Sequence, residues 1–297
     1  MWVIKYRTIF YVISLILVVA SFVALGIWGV KPGIDFTGGT LIEMSYTDAR
    51  PDQNVIASAL TAIDPAASIR PTGADGYIVR MKPIEQGEKA AVTAALTMNG
   101  GVEAIEKNFS SIGPVLGSEA LRKSIVSIIL VIVAIVLFIT FAFRKVSEPV
   151  SSWKYGLVAI IALAHDVIIP TGVFSILGHL AGYEVDTLFV TALLVVLGFS
   201  VHDTIVVFDR VRENLRTSGA SKPFAEVVGQ SVSQTFTRSI NTSLTTLIAL
   251  VVLYILGGST TEHFSLALII GIAAGTYSSI FIGSPLLVTM EKWGKRK

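Results

Sequence analysis

The chain has no cysteine, only four histidines, and few charged residues for its length of 297. The missing cysteines exclude disulfides and thiolate metal sites, and four histidines alone are too few to favour a zinc cluster. Charged residues make up 15% of the chain and hydrophobic residues 53%, with a mean hydropathy of +0.72. Such an apolar composition excludes an ordinary soluble domain and predicts a membrane protein with several spans.

The motifs of common enzyme classes are absent as well. The sequence contains no Walker A motif, no nucleophile elbow and no spacing typical of a metal site. We therefore expect no enzymatic activity, no cofactor and no bound metal. The formal net charge of +2 is uninformative by itself, because the placement of charge matters more here than its sum, and we expect no nucleic-acid partner.

Six apolar runs are each long enough to cross a hydrocarbon core about 30 Å thick. They cover residues 8–30, 124–143, 156–178, 187–208, 239–258 and 264–290. The first run is about 22 residues long, which is longer than the apolar core of a typical secretory signal peptide. We therefore expect an uncleaved first span, and six membrane helices in all.

Lysine and arginine are concentrated in alternate connections between these runs. They precede the first run, lie between the second and third and between the fourth and fifth, and follow the sixth; the positions are Lys5, Arg7, Arg144, Lys145, Lys154, Arg210, Arg212, Arg216, Lys222, Arg238, Lys292, Lys295, Arg296 and Lys297. The connections at 179–186 and 259–263 contain neither residue type. Because cytoplasmic loops carry the excess of positive charge, this bias predicts that both termini are cytoplasmic.

The predicted orientation divides the chain into four parts. Residues 1–30 hold the cytoplasmic N-terminus and first span, and residues 31–123 form an extracytoplasmic domain. Spans two to six follow at 124–290, with a cytoplasmic loop at 209–238, and a basic cytoplasmic tail at 291–297 completes the chain.

The region 31–123 shows the pattern of a small α+β domain. Residues 39–47 alternate like a strand, and apolar residues recur at helical spacing over 52–62. Strands at 67–71 and 76–82, a helix at 85–98 and a strand at 101–109 follow. The order β-α-β-β-α-β is the split βαβ pattern, which predicts a ferredoxin-like domain. We find no catalytic pair in it, and expect it to contact a partner or an emerging chain.

Two of the apolar runs contain ionisable residues, and the other four contain none. His165 and Asp166 lie in the third run, and His202 and Asp203 in the fourth. By helical rise, Asp203 lies roughly 9 Å inside the last charged position of its helix. A carboxylate there costs about 2.5–3.5 kcal/mol on insertion scales, so it needs a partner or a function. Arg238, at the mouth of the fifth run, is a candidate partner.

Each of these residues has a functional and a structural interpretation. Asp203, paired with Arg238, could carry protons, or it could be a hydrogen-bonded structural carboxyl; Arg238 could merely mark the membrane interface. Asp166 could belong to a relay or could join two helices. His165 and His202 could titrate near neutrality or could serve as packing donors. Together they favour an ion or proton route through the third and fourth spans.

Three further patterns have structural interpretations. Residues 223–236 could form an amphipathic helix on the cytoplasmic surface. Gly271 and Gly275 in the sixth run are spaced for close helix packing. The charges at 209–213 indicate a solvated helix end.

Three short segments resemble motifs of the SecD/SecF family of export membrane proteins. They are 33–40 (GIDFTGGT) after the first run, 113–117 (GPVLG) before the second, and 198–214 (GFSVHDTIVVFDRVREN) in the fourth. The first contains Gly33, Asp35, Gly38 and Gly39, and its glycines permit the positive φ of a structural turn. The resemblance covers essentially the whole chain. Six spans with one domain of this size look like the SecF branch rather than the longer SecD branch.

The resemblance implies a role in protein export. SecD and SecF form a complex related to resistance-nodulation-division pumps, in the bacterial cytoplasmic (inner) membrane. They use the proton-motive force after the ATP-driven step of translocation. The implied partners are SecD, the SecYEG translocon, YajC, a translocating unfolded polypeptide and protons. In the family, an Asp of the fourth helix and an Arg at the start of the fifth are linked to proton flow, and they match Asp203 and Arg238. His202 stands where many members have Asn.

Three hypotheses therefore stand at this point. The first is a SecF-like subunit that couples proton entry to export, and the second is a translocon scaffold that conducts no ions. The third is half of a small-molecule exporter, against which the small size of the domain at 31–123 argues. Only the first two fit the domain, and of these only the first requires Asp203 to exchange protons.

Overall fold

The computed structural model describes residues 2–85, 87–144, 151–218 and 222–294. Lys145, Lys295, Arg296 and Lys297, which contributed to the predicted orientation, lie outside the described residues, as do 219–221 of the predicted cytoplasmic loop. The chain forms two compact units. One comprises Met1–Lys31 with Val126–Lys297, and the other comprises Pro32–Ile125.

Helices and strands follow one another in an order that separates the two units. The elements are α1 (Trp2–Lys5), α2 (Arg7–Trp28), α3 (Ile34–Thr37), β1 (Gly39–Tyr46), α4 (Gln53–Leu60), β2 (Ser68–Thr72), β3 (Gly76–Met81), α5 (Lys89–Leu96), β4 (Ala104–Ile112), α6 (Pro114–Ala142), α7 (Ser152–Leu180), α8 (Thr187–Ser218), α9 (Phe224–Leu256), α10 (Ser259–Ser278), a π-helix (Ser279–Gly283) and α11 (Ser284–Gly294).

Within the described ranges, six helical segments are long and apolar enough to cross a membrane, which confirms the predicted number. They are Arg7–Trp28, Pro114–Ala142, Trp153–Leu180, Thr187–Thr217, Phe224–Leu256 and Thr261–Trp293. At least half of the most apolar stretch of the third, fourth and sixth is buried within the chain, whereas only 6% and 11% of that stretch is buried in the second and fifth. The latter two therefore present their side chains to lipid or to other proteins.

The Pro32–Ile125 unit has the predicted β-α-β-β-α-β order. Its four strands form an antiparallel sheet in the order β2-β3-β1-β4, with Ile42 of β1 opposite Val79 of β3 and Phe109 of β4. The last strand begins at Ala104 rather than at 101, because the chain first turns through Met98 and Asn99, whose φ angles are +52° and +57°. The α+β prediction is confirmed, with boundaries shifted by a few residues.

One face of this sheet is buried under the two helices. Alternate residues Ile42, Met44 and Tyr46 of β1 point to that face and pack with residues of α4 and α5, including Ile56 and Leu96. The 0–1% exposure of all five side chains shows a closed hydrophobic core.

Asp64, four residues after the end of α4, connects this part of the chain to the residue that follows β3. Its carboxylate accepts hydrogen bonds from the backbone N–H groups of Lys82 at 2.7 Å and Ala66 at 2.9 Å. These donors, foremost that of Lys82, hold the pKa of Asp64 below its usual value. The charge therefore stabilises the loop connections that close the domain.

The glycine-rich motif packs backbone against backbone. Gly38 and Gly39 have φ angles of +74° and +131°, which L-residues with side chains rarely adopt. A Cβ on Gly38 would lie 2.8 Å from Cα of Pro114, and a Cβ on Gly117 would lie 2.8 Å from N of Gly38. The segments 33–40 and 113–117 therefore meet where the chain enters and leaves the domain. Asp35 lies in the first turn of α3.

The fifth span differs from its prediction. Residues 223–236 do not form a separate surface helix, because α9 runs without interruption from Phe224 to Leu256. No proline follows Pro223 to break it, and the apolar residues Phe224, Val228 and Val232 are buried in the core of the helical unit instead of lying on a membrane surface. Arg238 consequently lies near the middle of a 33-residue helix rather than at the start of one.

The last span contains a π-helical turn between α10 and α11. Pro285 follows this turn and has no N–H to donate, and its ring would clash with the carbonyl of Phe281 in a regular α-helix. Widening of the preceding turn relieves this clash, and the Ser284 hydroxyl donates to the carbonyl of Ser279 at 3.1 Å. The π-helix begins at the level of the buried polar residues.

Candidate functional site

Asp166 of α7 lies at the centre of a buried polar network. Its exposed fraction is 0%, and its Oδ2 accepts hydrogen bonds from Ser278 Oγ of α10 at 2.8 Å and from Ser200 Oγ of α8. Its Oδ1 lies 2.8 Å from Nδ1 of His165. One carboxylate therefore joins three membrane helices.

Asp203 of α8 has a different environment. It is 8% exposed, and its Oδ1 accepts a hydrogen bond from Ser239 Oγ of α9 at 2.5 Å. Its Oδ2 is buried and has no hydrogen-bond partner among the described residues. A buried oxygen without a donor is costly for an ionised carboxylate, since in this apolar setting nothing replaces the lost water. A carboxylate with one hydrogen-bonded oxygen and one without a partner can gain by taking up a proton, because the neutral acid is cheaper to bury.

A hydroxyl cluster links the surroundings of the two carboxylates. Ser279, the first residue of the π-helix, has its Oγ 2.9 Å from Thr204 Oγ1 and donates to the carbonyl of Ser200 at 3.3 Å. Thr204 directly follows Asp203, and Ser200 bonds to Asp166. Four hydroxyl side chains near the two carboxylates are each at most 2% exposed: Ser200 and Thr204 of α8, Ser278 of α10 and Ser279 of the π-helix.

A small residue allows α8 and α10 to bring these groups together. A Cβ on Gly275 would lie only 2.9 Å from Cβ of Ser200, and a Cβ on Gly271 would collide with the side chain of Val196. The predicted close packing around Gly271 and Gly275 is thus a contact with α8. About one turn further along the chain, this contact places Ser278, the last residue of α10, beside Asp166 and Ser279 of the π-helix beside Thr204.

The two histidines differ in their surroundings. His165 is 5% exposed, its ring stacks near Tyr277 with centroids 6.2 Å apart, and its Nε2 is buried with no partner among the described residues. His202 is exposed on the chain. It differs in this from its neighbour Asp203, because adjacent residues on a helix point in directions about 100° apart.

Arg238 does not form an ion pair with Asp203 in this structure. Its side chain is exposed, and no salt bridge within 4 Å joins it to a described carboxylate. The neighbouring Ser239 points inward and bonds Asp203 instead. Arg238 and His202 remain near enough to act on the Asp203 carboxylate electrostatically.

Sequence reasoning missed the hydroxyl partners Ser200, Ser239, Ser278 and Ser279. A signal was present, because Ser200 precedes Asp203 by three residues and therefore lies on the same helix face. Ser239 and the Ser278–Ser279 pair carried no such signal, since no Asp or Glu lies within two helical turns of them in the sequence. Among the described residues, no group of three or more histidine and carboxylate side chains could hold a metal ion.

The fold and the site together define an α-helical multi-pass membrane protein with buried carboxylates and an α+β domain between its first two spans. Two family models match the chain: "Protein export membrane protein SecD/SecF, C-terminal" over residues 91–293, and "SecD/SecF GG Motif" over residues 23–49. The chain belongs to the SecD/SecF family of protein export membrane proteins.

Relatives of similar length carry the name protein translocase subunit SecF. The one from Thermobaculum terrenum is 43% identical, covering 97% of this chain and 93% of the relative. The one from Anaerolinea thermophila is 36% identical, covering 98% and 96%. The similarity thus extends over nearly the full length of both chains.

The fold also matches a solved structure of the family. SecDF of Thermus thermophilus, described as a translocon-associated membrane protein, superposes with a TM-score of 0.83 at 30% identity. The match covers 99% of this chain but 38% of the SecDF chain. This chain therefore corresponds to one part of a longer polypeptide in that relative.

Proposed function

We propose that this chain is a SecF-type subunit that works with SecD in the bacterial cytoplasmic membrane and uses the proton-motive force to promote late steps of protein translocation. In the proposed orientation both termini are cytoplasmic and residues 31–123 are extracytoplasmic. SecYEG and YajC are proposed neighbours, and the unfolded polypeptide in transit is the proposed cargo. The observation that carries the proposal is the buried Asp203 carboxylate, which has one hydrogen-bonded oxygen and one without a partner.

Protonation would change what Asp203 can do in its pocket. As a carboxylate it accepts from Ser239 and leaves Oδ2 unsatisfied, whereas as a carboxylic acid it gains an O–H that can donate to a nearby hydroxyl. Ser279 and Thr204 supply hydroxyls in the same cluster. The two protonation states therefore favour different arrangements of α8, α9 and the π-helix, and a proton can bias one over the other.

The hydroxyl cluster suggests the onward route of the proton. From Asp203 the side chains of Thr204 and Ser279 lead toward Ser200, whose hydroxyl bonds the second carboxylate, Asp166. Ser279 donates to the backbone carbonyl of Ser200, so its side chain must turn to the Ser200 hydroxyl before a proton can pass. His165 then offers Nε2, which is buried without a partner. Hydroxyls both donate and accept, so such a chain can pass a proton once its members reorient.

The exposed polar side of α9 supports association with SecD. Within this membrane-spanning helix the exposed residues include Arg238, Asn241, Thr242 and Thr245, and His202 of α8 is exposed as well. Polar side chains that face hydrocarbon are costly, and they hydrogen-bond across helix contacts where they can. A second membrane subunit would cover them, and the SecDF relative carries additional chain beyond the part matched here.

Asp203→Asn tests the proposal, because it keeps the shape of the side chain and removes its titration. In vesicles that contain the translocon and SecD, the variant should lose the proton-dependent stimulation of export while still assembling with SecD. Asp209→Asn is the matched control, since Asp209 is exposed on the same helix and pairs with Arg212. Full stimulation in Asp203→Asn would favour the non-conducting scaffold instead.

Arg238 can be tested in the same assay. If it acts on Asp203, Arg238→Met should reproduce the loss, and the double variant should be no worse than either single one. If the fractional losses of export stimulation in the two single variants multiply in the double variant, the two residues act in separate steps.

A further inference from the structure

A cavity with basic walls opens where the first helices of the chain meet its last one. It has a volume of about 840 Å³ and is lined by Trp2, Ile4, Lys5, Tyr6, Arg7, Thr8, Pro223, Ala225, Glu226 and Lys292. A second cavity of about 400 Å³ shares Arg7 and Lys292 with it and adds Thr289 and Trp293. The residues come from both ends of the sequence, so this cavity exists only in the folded bundle.

The charges in the cavity are unbalanced. Lys5, Arg7 and Lys292 face a single carboxylate, that of Glu226. None of these four side chains forms an ion pair with another described residue. Cations held together without counter-charges repel one another, so the cavity as it stands favours an anionic occupant.

The position of the cavity selects the kind of anion. The candidate spans begin at Arg7 and Phe224 and end at Trp293, so the cavity lies at one membrane–water boundary of the bundle. Trp2 and Tyr6, both about half exposed, line it, and the Trp2 ring packs near Phe10 and Phe281 at 5.8 and 5.7 Å. Aromatic rings of this kind are typical of the headgroup level of a bilayer.

An apolar surface continues from the cavity along α2. Ile9, Val12, Ile13 and Ile16 follow the basic residues along that helix and are each exposed by 41–61%. A free phosphate ion would gain nothing from contact with this apolar surface, whereas the acyl chains of a phospholipid would bury it from water.

We propose that the cavity lined by Lys5, Arg7 and Lys292 binds the headgroup phosphate of an anionic phospholipid, with the acyl chains lying along the exposed side of α2. The site is separate from the carboxylate network, and it does not depend on the proposed proton coupling. Basic pockets between membrane helices are a recurring way of holding such headgroups. The bound lipid would tie the N-terminal helices to α9 and α11, the elements whose residues line the cavity.

Quenching of tryptophan by brominated lipids tests the proposal on the full chain. Trp28→Phe and Trp153→Phe leave Trp2 and Trp293, the two tryptophans at the cavities, as reporters. In vesicles of phosphatidylcholine, these reporters should be quenched preferentially by brominated phosphatidylglycerol. The two unbalanced cations, at about fivefold each, predict a preference on the order of 25-fold over brominated phosphatidylcholine.

Matched double variants separate the cavity from general surface charge. Arg7→Gln with Lys292→Gln leaves one cation and one carboxylate, so the preference should fall to within about twofold of phosphatidylcholine. Arg144→Gln with Arg216→Gln removes two exposed charges outside the cavity and should leave the preference unchanged. Inorganic phosphate at about 10 mM should not relieve the quenching, because it lacks acyl chains.

Three results would overturn the proposal. They are equal quenching by both lipids in the parent chain, an equal loss of preference in the two double variants, and displacement of the lipid by inorganic phosphate, which would indicate a soluble anion site instead.

Discussion

At the scale of single residues, the two buried carboxylates differ in how completely they are satisfied. Asp166 has three hydrogen-bonding neighbours, Ser200, Ser278 and His165, on three helices. Asp203 accepts one well-formed hydrogen bond, from Ser239, with the Ser279 hydroxyl nearby. A carboxylate whose oxygens are both hydrogen-bonded holds helices together. A carboxylate with an unpartnered buried oxygen is less stable in its ionised form and is therefore easier to protonate. The structure thus suggests that Asp166 mainly stabilises helix packing and that Asp203 is the carboxylate that changes protonation.

The difference predicts unequal effects on stability. Asp166→Ala should lower the free energy of unfolding by about 1–3 kcal/mol, because it leaves several buried donors without an acceptor. Asp203→Ala should cost less than half as much, since it breaks one hydrogen bond and removes an unsatisfied oxygen. Thermal unfolding of the full chain in detergent, followed by tryptophan fluorescence, measures both. Equal losses, after comparison with Asp209→Ala, would contradict this difference between the two carboxylates.

At the scale of elements, the contact between α8 and α10 determines the geometry of the site. Gly275 lets the helices approach until Ser200 is within reach of Asp166, and the π-helix that follows directs Ser279 toward Thr204. Wider separation of the two helices would break the network without changing any polar residue. Close helix packing is therefore part of the site.

Gly275→Ala tests this contact. Its Cβ would lie 2.9 Å from Cβ of Ser200, so the helices must separate, at a cost of about 1–3 kcal/mol. We expect a lower unfolding temperature together with reduced export stimulation. Gly198→Ala on α8 is the matched control, because nothing lies within 4 Å of its Cβ, and the higher helix propensity of alanine should leave stability unchanged or raised by up to about 1 kcal/mol. Similar behaviour of the two variants would argue against the contact.

At the scale of the whole molecule, one chain forms two compact units, an α+β domain and a bundle of membrane helices. The Pro32–Ile125 unit has a closed core of its own, whereas in the helical unit the most apolar stretches of the second and fifth spans have few buried residues. The outer surfaces of these two spans are therefore available for contact with lipid or with partner subunits. The Lys/Arg bias predicts which side of the membrane the termini and loops face. Because the chain has no native cysteine, single introduced cysteines can test this prediction.

Single cysteines at Ser68 and Thr217, both exposed, should report opposite sides of the membrane. In cells whose outer barrier has been opened, an impermeant maleimide should label position 68, and it should reach position 217 only after lysis. The positive-inside bias is the physical reason for this expectation. Labelling of position 217 in intact cells, with position 68 protected, would invert the proposed orientation.

The sequence by itself determined the class of the protein, the number of spans, the order of elements in the α+β domain and the presence of Asp166 and Asp203 inside apolar helices. Hydropathy over 20 or so residues and side-chain periods of 2.0 and 3.6 are local properties, so one stretch of chain suffices to read them. The limits of α9 were missed because nothing local distinguishes an apolar face that contacts other helices from one that lies on a membrane.

Only the tertiary structure decided which groups meet. It made Ser239 rather than Arg238 the hydrogen-bond partner of Asp203, and it brought Ser200 and Ser278 to Asp166. It also placed Arg7 and Lys292, from opposite ends of the sequence, in the wall of one cavity. Such pairings depend on helix rotation and on the distance between helix axes, and a single small residue such as Gly275 changes that distance. A hydrogen bond tolerates only a few tenths of an ångström of error, which no pattern along one helix can specify.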